Sequence, residues 1–130
     1  MISSVEKLYE NLGKLFYAIA AVDDIIHKEE IDTLKKIVKR DWVRVDDHHD
    51  EFGTDAAYFI EIIFDWLEEN QPPAYQAFYE FKEFKQDNEK LFTLRINKLI
   101  WKTALSIAES FGERNNDEQT MLSKLRELLE

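Results

Sequence analysis

Apolar residues recur along much of this chain at intervals of three and four. Between residues 4 and 22 they fall at Val5, Leu8, Leu12, Leu15, Phe16, Ile19 and Val22, the spacing that gathers side chains on one face of a helix. Ser3 and Glu6 have the spacing of a capping box at its start. Residues 28–40 repeat the pattern with Ile31, Leu34, Ile37 and Val38, then close on Lys39 and Arg40, cations that suit the negative end of a helix dipole. The stretch DWVRVDDHHDEFG, residues 41–53, keeps no clean period and reads as a loop or a short turn of helix.

A third helix is predicted from a Thr54 cap to about residue 69, with Phe59, Ile63, Trp66 and Leu67 on the buried side. Pro72 and Pro73 break the chain there, and because proline suits a first helical position a fourth helix can begin at once. That helix, AYQAFYEFKEFKQ, carries Tyr75, Phe78, Tyr79, Phe81 and Phe84, which at 100° per residue spread around most of the cylinder. Core on two sides is the ordinary explanation. The other is an aromatic side (Tyr75, Phe78, Phe81, Phe84) facing a protein partner or, in a homo-oligomer, a second copy. A fifth helix is predicted from about residue 89 to 111, with Ile96, Ile100, Ala104, Ile107 and Ala108 in register and Gly112 ending it. A sixth begins near Asp117 with Met121, Leu122, Leu125, Leu128 and Leu129. The expectation is an all-α, single-domain bundle of about six helices and no sheet.

Composition agrees with that pattern and removes several functions. The 130 residues include nine Phe, five Tyr and three Trp, ample for a core, against three Gly and two Pro, too few for a many-turned β architecture. The chain has no Cys, so disulfides, cysteine zinc sites and thiol nucleophiles are excluded. The N-terminus shows no basic segment leading into an apolar core, so no signal peptide is expected. No apolar run approaches the roughly 20 residues of a membrane span, since YFIEIIF is interrupted by Glu61. The formal charge of −10 repels phosphate backbones and argues against nucleic acid as a ligand. Divalent cations and basic protein surfaces are the partners it favours, and a cytoplasmic location is expected.

The chain also echoes itself. Shifted by 88 residues, IAAVDDIIHKEEIDTLKKI superposes on IAESFGERNNDEQTMLSKL, pairing Ile19 with Ile107, Ala20 with Ala108, Glu30 with Glu118 and Leu34 with Leu122. Each copy is a long helix, a short turn, and a helix whose third residue is glutamate. His27 and Asn115 take the N-cap place, three residues before that glutamate, where its side chain can reach back to the cap N–H. Two such helix–turn–helix units would pack as related halves.

A small-residue helix end followed by Asp, a turn residue, any residue, an aliphatic, a cap residue and then x-x-Glu resembles the motif of TerB-like (tellurite-resistance B) domains. In AVDDIIHKEE, Asp23 stands at that family's Asp, Asp24 at its usual Gly, Ile26 at its aliphatic, His27 at its cap and Glu30 at its Glu. The second copy keeps Gly112, Asn115 and Glu118, but has Phe111 for the Asp and Arg114 for the aliphatic. The resemblance implies an all-α domain with internal pseudo-symmetry and a role in metal-linked stress responses and assemblies near the inner membrane surface. The lost Asp in the second copy speaks against a symmetric metal site.

Two clusters carry candidate chemistry. Asp23, Asp24 and Glu30 could converge across the first turn and offer oxygens to a divalent cation, although the spacing is not that of an EF-hand, since Lys28 and Leu34 stand where Gly and Glu are required. Alternatively Glu29 and Glu30 serve only the positive end of the second helix and the aspartates only turn the chain. His48, His49 and Asp50, within residues 46–51, form a secondary metal candidate, with a solvated acidic loop as the alternative. No Glu-x-x-His pair of a di-iron bundle, no glycine-rich phosphate loop and no nucleophile elbow is present. Three readings follow: a non-enzymatic TerB-like accessory protein that binds a divalent cation weakly, a metal-free interaction module using its acidic faces and the aromatic helix, and, ranked last, a hydrolase using the acidic and His-rich loops with a metal.

Overall fold

The computed structural model describes residues 4–43, 57–110 and 115–130. Among them are six α-helices and no strand, so the all-α expectation is met: α1 (Ser4–Ala21), α2 (Lys28–Ile37), α3 (Phe59–Asn70), α4 (Ala74–Asp87), α5 (Leu94–Glu109) and α6 (Asn116–Leu129). None of them is long and apolar enough to cross a membrane.

The first helix is the centre of the bundle. Its sequence LFYAIAA is apolar on every side, and every residue from Leu15 to Ala21 is buried, as befits a helix with no polar face. Helices α3, α4 and α5 all pack on it, α2 packs on α5, and α6 touches both α1 and α5. Each short helix of the two related units therefore reaches the long helix of the other.

Gly13 sets how α3 sits. A Cβ at that position would lie 2.8 Å from Ile63 Cβ and 3.0 Å from the Ile60 carbonyl, so only glycine allows this approach. The close contact turns Ile60, Phe64 and Leu67 into the core, a stripe at i, i+4 and i+7. Phe59 and Ile63 are half-buried, and Trp66, expected in the core, is 59% exposed. The helix is apolar around so much of its circumference that spacing alone does not choose its inner face.

Other expectations are sharpened. Helix α2 runs on into a π-helical turn, Val38–Trp42, so the segment from residue 41, expected as a loop or a short turn of helix, begins as helix. That turn buries Trp42, whose indole N–H donates to Thr103 Oγ1 of α5 at 3.1 Å and whose ring meets Tyr9 edge-on at 6.1 Å. The Thr54 cap lies outside the described residues.

The fourth helix has one buried side. Ala77, Phe78, Phe81 and Lys85 face inward, Phe84 is half-buried, and Tyr75 and Tyr79 are exposed. Of the aromatic set Tyr75, Phe78, Phe81 and Phe84, then, only Tyr75 is open to a partner. The fifth helix begins late, at Leu94, after a separate 3₁₀ turn, Glu89–Leu91. Phe92 turns inward to meet Phe81 and Phe84 edge-on at 5.9 and 6.1 Å, and Thr93 caps α5 by accepting the Ile96 N–H at 3.2 Å. Lys85 closes this corner with its ammonium 5.2 Å from the Phe92 ring and 3.2 Å from the Glu89 carboxylate.

Candidate functional site

The turn at AVDDIIHKEE begins where the Asp24 N–H donates to the Ala21 carbonyl at 2.9 Å. Asp24 has φ 70°, the left-handed region that favours glycine and that Asp and Asn tolerate better than most residues. Asp23 holds the turn from both sides. One carboxylate oxygen accepts the Ile25 N–H at 3.2 Å, and the other accepts the side-chain amide of Asn115 at 2.9 Å. That bond joins the two related turns across 92 positions of sequence.

Both capping boxes form. Glu30 accepts the His27 N–H at 2.8 Å. Glu118 accepts the Asn115 N–H at 3.0 Å while Asn115 Oδ1 accepts the Glu118 N–H at 2.8 Å. These are not surface caps: Glu30 is 1% and Glu118 5% exposed. Burial pushes the Glu30 carboxyl up to about 8, the charges of Glu118, Asp23 and Glu29 add to the rise, and the His27 N–H opposes it. Glu30 therefore keeps its proton through neutral pH, a neutral acid beside a second buried carboxyl group.

The proposed metal trio is divided by this arrangement. Asp23 bonds toward α6, Glu30 toward its own cap, and Asp24 lines a separate cavity of about 390 Å³ with Tyr17, Ile26, Glu68 and Gln71. Among the described residues no three His, Asp or Glu side chains gather where they could hold a metal ion. The secondary candidates His48, His49 and Asp50 lie outside the described residues.

A second region lies on α3, whose Glu61, Asp65 and Glu68 read in the sequence as a solvated stripe or a face for a basic partner, but whose exposed apolar pair was not foreseen. On the outer side of α3, Ile62 and Trp66 stand one turn apart, 60% and 59% exposed. Trp66 forms the lip of an open groove of about 400 Å³ between α3 and α4, with Ile63, Leu67 and Ala77 as its apolar lining. Lys14 of α1 lies in the groove, 3.1 Å from Glu80 and 3.7 Å from Glu10. Helix α3 itself carries Glu61, Asp65, Glu68 and Glu69 and no basic residue. Lys35 of α2 reaches Asp65 at 3.7 Å. The Glu61 carboxyl is raised by burial, lowered by Lys35 and raised by Asp65. The available signal was the apolar run from Phe59 to Leu67, wider than one buried face requires.

No family model matches the chain, nor does any curated protein or solved structure. The functional reading accordingly stands on the two regions just described.

Proposed function

We propose that this chain is a non-enzymatic, TerB-like interaction module that docks a protein partner on the outer side of α3. The observation that carries the reading is the exposure of Trp66 at an open, partly apolar groove, with the equally exposed Ile62 one turn away on the same helix. A tryptophan beside a pocket is the kind of residue that dominates binding energy in protein interfaces. An exposed large apolar pair costs solubility unless something uses it.

The TerB-like part of the reading is supported by the two turns. Asp24 takes the left-handed conformation at the place where the family motif has glycine, and the two glutamates cap equivalent helices joined by the Asp23–Asn115 bond. The same bonds favour the interaction reading over cation binding. Oxygens of Asp23, Glu30 and Glu118 already accept N–H donors, so these side chains are accounted for by the turns they hold.

Panning a random peptide library on the immobilised chain tests the proposal. Enriched peptides should bind the wild type and lose at least about tenfold in affinity with Trp66→Glu, a loss of roughly 1.4 kcal/mol. Failure to enrich any peptide, or peptides indifferent to Trp66→Glu, would contradict it.

A further inference from the structure

From the charge around this groove we infer the class of partner: a basic amphipathic helix, its apolar side seated between Trp66 and Ala77 and its cations against the acidic banks. The inference rests on the interaction reading and specifies the chemistry of its partner.

The apolar centre is framed by acids on both sides. On α3, Asp65 and Glu69 fall on the outer arc shared with Ile62 and Trp66, by the 100° advance per residue. Across the groove stand Glu10 and Glu80, with Lys14 between them. Two carboxylates, Glu10 and Glu80, thus face one ammonium within the groove, while Asp65 and Glu69 lie beyond Trp66, outside its lining, with Lys35 on Asp65. A partner with acidic flanks would meet repulsion here, whereas lysines or arginines would find carboxylates on either bank. Fields of this kind steer association and fix orientation more than they add affinity, so the apolar anchor sets strength and the acids set the choice.

Helical form follows from shape. Helix α3 has 12 residues, a length of about 18 Å at 1.5 Å per residue, and a groove between two helices suits a third whose anchors recur at i, i+4 and i+7. An extended strand would need an open sheet edge, and none is present among the described residues.

The test uses two labelled peptides of about three helical turns, identical in their leucines, one with lysine and one with glutamate at the polar positions, titrated with the full chain by fluorescence anisotropy. The lysine peptide should bind and the glutamate peptide should not. Trp66→Ala should weaken the lysine peptide at least about tenfold. Tyr79→Ala, an equally exposed aromatic on the far arc of α4, should leave it unchanged. A Glu69→Lys, Glu80→Lys double variant should lose the preference for the basic peptide. Because all these side chains reach solvent the variants should fold, which a thermal melt checks.

Equal binding of both peptides overturns the inference, as does lysine-peptide binding indifferent to Trp66→Ala, which would be adsorption to a chain of charge −10. If neither model peptide binds while library peptides bind through Trp66, the basic-helix inference fails and the interaction reading survives.

Discussion

Two groups of acidic side chains stand apart in this chain, and they do opposite things. Those of the paired turns, Asp23, Glu30 and Glu118, accept backbone or side-chain N–H groups, and the two glutamates are almost wholly buried. Those on the outer side of α3, Asp65 and Glu69, are exposed beside exposed apolar side chains. The first group holds the fold together; the second faces whatever approaches it. A run such as VDDIIHKEE looks like a ligand site only until the destination of each oxygen is known. Acid density in a sequence is thus a weak guide to function, because a helix N-terminus consumes carboxylates as readily as a metal ion does.

The sharpest way to separate the two groups is pH. An unfolded glutamate ionises near 4.5, whereas folded Glu30 holds its proton to about 8. Between those values the folded state binds more protons, so stability falls as pH rises and levels off above about 8. Glu30→Gln, which cannot ionise, should match wild type near pH 4.5 and become progressively more stable than it toward pH 8, by up to a few kcal/mol. Urea midpoints measured across that range check the divergence.

Next in size is the bridge between turns. Asn115→Ala removes an N-cap and the bond to Asp23 together, and should cost about 1–3 kcal/mol in chemical denaturation. Glu69→Ala should stay within about 0.5 kcal/mol. A cost for Glu69→Ala as large as that for Asn115→Ala would erase the distinction between the groups.

Smaller again is the response to divalent cations. Calorimetric titration of chelator-treated protein with Ca²⁺, Mg²⁺ and Mn²⁺ should show no binding that Asp23→Asn or Glu30→Gln removes. Heat abolished by both substitutions would return the turns to a ligand role.

Much of the framework was legible in the chain itself. The 88-residue echo and the cap–x–x–Glu spacing anticipated both capping boxes, because capping is local and the glutamate must lie three residues from its cap. The Asp23–Asn115 bond was not legible, since nothing local records a contact between residues 92 apart. The inner face of α3 was misread for a related reason. With Phe59, Ile60, Ile62, Ile63, Phe64, Trp66 and Leu67 in one short helix, periodicity offers several stripes, and the choice was made by the absent side chain of Gly13 on another helix. Trp42 was hidden by its charged surroundings, KRDWVRVDD, although its ring is wholly buried. The candidate binding face was therefore obscured by the same misassignment that placed Trp66 in the core.

The most direct test sets the two regions against each other in one assay, the affinity of the lysine-patterned peptide for Trp66→Glu and for Glu30→Gln, each beside the wild type. The account predicts that Trp66→Glu loses at least about tenfold while Glu30→Gln binds as the wild type does. The reverse order, with binding lost at Glu30 and kept at Trp66, would contradict it.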